Sequence, residues 1–125
     1  MKIIAIMNQK GGEAKTTTVR NLSYILAQKK KKVLTIDMDA QGNLTTNSGI
    51  LKREVNTIVD VFNGEKNIND IIINIDKNLD HIANNMSMSE FALFLEKNSG
   101  WTKILSNSIK EIEKKYDYIF IDCPP

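Results

Sequence analysis

Lys10-Gly11-Gly12-Glu13-Ala14-Lys15-Thr16-Thr17 is the stretch on which the reading of this chain turns. It follows an apolar run, Ile3 to Met7, whose β-branched residues and polar bounds predict a strand buried on both faces. After it, from Thr16 to about Lys30, Val19, Leu22, Ile25 and Leu26 recur at three- and four-residue steps and predict an amphipathic helix. Glycines between a strand and a helix let backbone N–H groups converge on phosphate oxygens. The helix N-terminus adds partial positive charge, and a lysine in the first turn reaches the β and γ phosphates. Gly11, Gly12, Glu13, Ala14, Lys15, Thr16 and Thr17 are therefore candidate phosphate-binding residues, and the Thr16 hydroxyl is a candidate Mg²⁺ ligand.

Working outward, Val33 to Ile36 predicts a second buried strand, ended by Asp37 and Asp39. Strand, glycine turn, helix and strand make a βαβ unit with a right-handed crossover. The lysines 29 to 32 between helix and strand read as a solvated helix end rather than a phosphate patch. Gly42 to about Asn56 reads as loops with a short helix. In Ile68 to Ile75 helical spacing competes with isoleucine content, and the spacing favours a short helix. Leu79 to Ala83 predicts a third strand, and Ser89 to Leu95 a helix. Trp101 to Lys115 predicts another, with Ile104, Leu105, Ile109 and Ile112 on its apolar face. Tyr118 to Ile121 predicts a fourth strand, ending in Asp122 and Cys123. Three polar features, Lys10 to Thr18, Asp37 with Asp39, and Asp122, thus fall at the C-terminal ends of three strands. In open parallel sheets that edge is where ligands bind. Asp122 has the position of a carboxylate that holds a metal's water shell.

Composition narrows the alternatives. At 125 residues the chain is one domain or a piece of one. Its 42% hydrophobic and 26% charged residues are those of a folded domain rather than a disordered one, and a net charge of +2 demands neither nucleic acid nor an anionic membrane. A single cysteine, Cys123, excludes an intrachain disulfide and any multi-cysteine metal site. Ile3 to Met7 is too short for a membrane span or a signal-peptide core, so a cytoplasmic protein is expected.

At these same residues the sequence resembles the deviant Walker A ATPases, and within them the chromosome and plasmid partitioning ATPases of the ParA/Soj type. Asn8-Gln9-Lys10-Gly11-Gly12, followed by Lys15-Thr16-Thr17-Thr18 and Asn21-Leu22, is similar to that family's first motif. Asp37-Met38-Asp39-Ala40-Gln41-Gly42-Asn43-Leu44-Thr45 is similar to its second, with alanine where proline is usual. Tyr116 to Pro125 is similar to its third. The resemblance implies an α/β fold, a P-loop NTPase-like parallel sheet flanked by helices and truncated after the Walker B strand. Residues 1–125 would then be the N-terminal part of such a domain. It implies strand order 3-2-4-1 for the four strands above, which leaves Ile3 to Met7 as an exposed apolar edge.

The roles that the resemblance implies fall on single residues. Lys10 is similar to the signature lysine that reaches a partner's phosphates across a nucleotide-sandwich homodimer, Lys15 to the phosphate lysine in place, and Thr16 to the Mg²⁺ ligand. Asp39 resembles the carboxylate that orients the attacking water, with Asp37 nearer the metal shell and Asp122 on its water. ATP and Mg²⁺ are the implied cofactors. A ParB-like protein and nonspecific DNA are the implied partners, and association with the nucleoid the implied location, with no membrane. Two departures matter: Glu13 stands where a small or apolar residue is usual, and Ala14 where glycine is usual. A carboxylate beside a triphosphate is repelled, and a Cβ obstructs close backbone approach, so weakened ATP binding is expected. The alternatives are a non-enzymatic fragment that pairs with an intact partner and a MinD-like membrane-cycling ATPase, which would need an amphipathic helix.

Overall fold

The computed structural model describes residues 1–7, 13–39, 41–51, 55–85 and 88–124. Its elements in chain order are β1 (Lys2–Ile6), α1 (Glu13–Gln28), β2 (Val33–Asp37), α2 (Asn43–Asn47), α3 (Ile58–Phe62), a 3₁₀ turn (Ile68–Ile71), β3 (Ile73–Asp76), β4 (Leu79–Ile82), α4 (Met88–Lys97), α5 (Trp101–Ile112), a second 3₁₀ turn (Glu113–Lys115) and β5 (Tyr118–Asp122). One sheet runs β1-β5-β2-β4-β3, parallel except for β3, which pairs antiparallel with β4. Its first four strands stand in the order that the resemblance implies.

Side chains alternate across a strand, so each strand feeds both layers of the core. Val33, Leu79 and Phe120 pack with Val19 and Ala27 of α1 and Leu44 of α2 on one face. Leu34, Ile36, Ile82 and Ile119 pack on the other with Ile58 and Phe62 of α3, Phe91 of α4, and Leu105, Ile109 and Ile112 of α5. There the Phe62 and Phe94 rings stack at 6.1 Å. The face under α1 is apolar only in its N-terminal half. Towards the C-terminal ends the same alternation presents Thr35, Asp37, His81 and Asp122, all buried. The sheet thus places a polar cluster beneath the first turn of α1.

Several expectations change. β1 stands at the edge of the sheet and pairs only with β5, as the resemblance implies, but it is not buried on both faces, Ile3 being 49% exposed. The helix expected over Ile68 to Ile75 is a single 3₁₀ turn followed by β3. Ile68 and Ile71 are buried in the core, while Ile73 and Ile75 alternate with exposed Asn74 and Asp76 against β4. Asn78, in the left-handed region at φ 62, closes the hairpin. Along α1 the buried stripe is Thr16, Val19, Ser23 and Ala27, whereas Leu22 and Ile25 face outward. Small residues at three- and four-residue spacing form the face that this helix turns to the sheet, and its larger residues Leu22 and Ile25 are turned aside. Ile104 on α5 is likewise at the border of exposure. Lysines 29–32 are exposed, as a solvated connection should be.

Candidate functional site

Lys15 and Thr16 stand in the first turn of α1, over the ends of β2 and β5, and both are buried. The Lys15 ammonium lies 3.2 Å from Asp39 Oδ2 and 3.2 Å from Asp122 Oδ1, and donates to the Cys123 carbonyl as well. Thr16 Oγ1 donates to Asp122 Oδ2 at 2.9 Å. Asp37 and Asp122 are register partners on adjacent strands. Burial pushes the Asp37 carboxyl up to about 6, against hydrogen bonds from Thr45 that pull it down and the neighbouring Asp122 charge that raises it further. Burial raises the Cys123 thiol too, so it is protonated at neutral pH despite Lys15.

Asp37 is held by the chain that follows it. Its Oδ1 accepts from the Asp39 N–H at 3.0 Å, and its Oδ2 from the Thr45 N–H at 3.0 Å and the Thr45 hydroxyl at 2.7 Å. Gly42, at φ 61, turns the backbone so that the Thr45 N–H, in the opening turn of α2 where N–H groups have no partner within the helix, meets this carboxylate. Asp39 Oδ1 accepts from the Gln41 N–H at 3.0 Å, and the Asp39 carbonyl from Asn84 Nδ2 at 3.2 Å.

Of the sequence-predicted site residues, the structure gathers Lys15, Thr16, Asp37, Asp39 and Asp122 at one edge of the sheet. Thr17 is exposed on α1, and Ala14 is exposed in its first turn. Glu13 opens the helix. Lys10, Gly11 and Gly12 lie outside the described residues. Thr45 closes the second motif without a role expected for it, and His81 and Asn84 belong to no motif, although all three are fully buried here. The available signal was a histidine two residues after Leu79, on the strand face that carries Thr35 and Asp37 in β2.

Among the described residues no group of three or more His, Cys, Asp or Glu side chains has metal-binding spacing. What the cluster offers instead is one hydroxyl and one carboxylate with a spare atom. Asp122 Oδ1 is buried and accepts no hydrogen bond among the described residues, its neighbour being the Lys15 ammonium. Mg²⁺ is commonly held by one or two protein oxygens with retained water and substrate phosphate, which this donor set fits.

Residues 1–125 match a protein family described as an AAA domain. The chain belongs to that family. Its relatives include proteins of the ParA/Soj type. It is 40% identical to the sporulation initiation inhibitor protein Soj of Bacillus subtilis over 99% of this chain and 50% of that protein. It is also 40% identical to a ParA family protein of Chlamydia trachomatis, over all of this chain and 51% of that one. Among solved structures, cobyrinic acid a,c-diamide synthase from Mycobacterium smegmatis with bound ATP analogue and magnesium superposes with TM-score 0.89 at 28% identity, over 99% of this chain and 51% of that one. A plasmid partition protein from Borrelia burgdorferi superposes with TM-score 0.85 at 35% identity, over 99% and 56%. The AAA domain here spans about half the length of the relatives it matches. None of its described helices is long and apolar enough to cross a membrane.

Proposed function

We propose that this chain carries the nucleotide site of a ParA/Soj-type partition ATPase, binding and hydrolysing MgATP. The observation that carries the reading is the meeting of Lys15, Thr16, Asp39 and Asp122 at the C-terminal edge of the sheet. A relative of the same fold binds an ATP analogue with magnesium, which supports it. Lys15 serves the phosphates, and Thr16 and Asp122 serve Mg²⁺, which when bound neutralises charge developing on the phosphoryl oxygens. Asp39 orients the attacking water. Asp37, with three hydrogen bonds already accepted from the chain, fixes the Asp39 segment and would be the carboxylate nearer the metal's shell were Mg²⁺ bound. Glu13, Ala14 and Thr17 border the phosphates with Gly11 and Gly12, and Lys10 reaches a second protomer in a nucleotide-sandwich homodimer. The segregation role, with a ParB-like partner, nonspecific DNA and the nucleoid, belongs to the same proposal, as does the place of residues 1–125 as the N-terminal part of the ATPase domain.

Calorimetric titration with MgATP tests the site. Binding is expected in the wild-type chain, with a loss of about tenfold or more in Thr16→Val, which removes the hydroxyl at little cost in volume. Absence of both binding heat and thermal stabilisation at millimolar MgATP would sink the proposal. The Glu13-Ala14 pair favours a second reading, in which the chain binds no nucleotide and acts by pairing with an intact partner. Co-purification with such a partner, together with silence towards MgATP, is its signature.

A further inference from the structure

We infer that His81 is a positioning residue: its Nε2–H holds the Thr45 hydroxyl so that the hydroxyl proton is committed to Asp37, fixing the loop that carries Asp39. Its bearing on nucleotide chemistry rests on the site proposed above. No role was expected for His81 from the motifs, yet it is fully buried on β4 opposite Thr35 of β2. Its two ring nitrogens have one partner each, Thr35 Oγ1 at 2.8 Å from Nδ1 and Thr45 Oγ1 at 3.1 Å from Nε2.

Proton counting fixes the direction of this chain. Thr45 Oγ1 has one proton and two lone pairs, and three partners: Asp37 Oδ2 at 2.7 Å, the Asn84 N–H at 3.2 Å, and His81 Nε2. The Asn84 amide can only donate. Two backbone N–H groups oppose the burial that raises Asp37 to about 6, so at neutral pH it is the anion and takes the hydroxyl proton, and the remaining lone pair accepts from a neutral His81. His81 is then protonated on Nε2, and its bare Nδ1 accepts from Thr35, whose hydroxyl is closer to it than to the Asp80 carbonyl at 3.3 Å. With the ring neutral and Asp37 ionised, this arrangement places a proton in each contact along Thr35, His81, Thr45 and Asp37, whereas the Nδ1–H tautomer leaves the 2.7 Å contact between Thr45 and Asp37 without one. Burial, which lowers the pKa of His81 to about 4, keeps the ring neutral as the arrangement requires. Asp37 then holds the Asp39 amide, and Asn84, whose amide closes on Thr45, holds the Asp39 carbonyl. The position of Asp39 is set from both sides of its peptide.

The test uses ¹⁵N NMR of the nucleotide-free chain, with amide exchange, beside MgATP titration. The His81 ring is expected as the Nε2–H tautomer. His81→Leu should speed exchange of the Asp39 and Thr45 amides about tenfold or more, with core amides such as Ile119 unmoved, and weaken MgATP binding. His81→Gln, whose side-chain amide supplies a donor at the place of Nε2, should restore both. A ring protonated on Nδ1, or a His81→Leu variant whose exchange rises uniformly or not at all, overturns the inference whatever the nucleotide result. The expected tautomer and local exchange in a chain that binds no MgATP would uphold the positioning and remove the nucleotide reading instead.

Discussion

His81 has no exposure to water, and burial lowers its pKa from 6.5 to about 4, while burial raises that of Asp37 from 3.8 to about 6. The two act oppositely on stability. The folded state binds a proton at His81 less readily than the unfolded chain, so this contribution is complete above pH 6.5 and is lost as pH falls towards 4. The folded state binds one at Asp37 more readily, so that contribution is complete below pH 3.8 and is lost as pH rises through 6. Between these limits they offset each other in the wild-type protein. His81→Gln removes one of the two, and from pH 7.5 to pH 5 the wild type should lose about 2 kcal/mol relative to the variant, measured by urea unfolding at each pH. Parallel pH profiles would show that His81 is not excluded from water. Glu13 and Ala14 act on a different quantity. Replacing them together by valine and glycine should tighten MgATP binding, each change contributing on the order of 1 to 3 kcal/mol through relieved repulsion and restored backbone approach. Equal calorimetric affinities before and after would refute that account of the loop.

β1 offers an unpaired row of backbone groups beside exposed Ile3 and Met7, with no proline or bulge to protect it. The 125-residue chain is therefore expected to associate with rising concentration in light scattering, independently of MgATP, and Ile3→Lys should suppress this. A stable monomer at high concentration would show that the edge is not adhesive. The elements also show what could be read from the sequence and why the rest could not. β2 and β5 were legible because their continuous apolar runs end abruptly in aspartate. α3 was overlooked although Thr57 and Asp60 write its capping box, with the Thr57 N–H donating to Asp60 Oδ2 at 2.7 Å. β3 was mistaken for helix because isoleucines at positions 68, 71, 72 and 75 satisfy a helical period while two of them belong to a 3₁₀ turn. Asp37 and Asp122 stood out in the sequence because each ends a strand, and Asp39 because it follows two residues after one. The meeting of Thr45 with His81 and Asn84 was not legible, since it depends on the register between β2 and β4, which no single strand encodes.

Over the whole molecule positive charge slightly exceeds negative, with a net +2, yet at the C-terminal edge of the sheet Asp39 and Asp122 flank Lys15, with Asp37 beside Asp122 in register. The placing of the three motifs at one sheet edge followed from their positions after strands, and the order of four strands from the family resemblance, whereas this local inversion of charge followed from neither. Its consequence concerns what the edge can accept. A polyphosphate that draws Lys15 to itself strips Asp39 and Asp122 of their counter-ion, and bared carboxylates in a buried place repel each other and the newcomer. The exchange balances electrically when a divalent cation enters with the anion. ATP with Mg²⁺ is accordingly expected to bind about tenfold or more tightly than ATP in EDTA, by calorimetry at constant ionic strength. Equal affinities would mean that Lys15 never leaves its carboxylates. Behaving as an ion exchanger, the pocket admits a salt in preference to either of its ions.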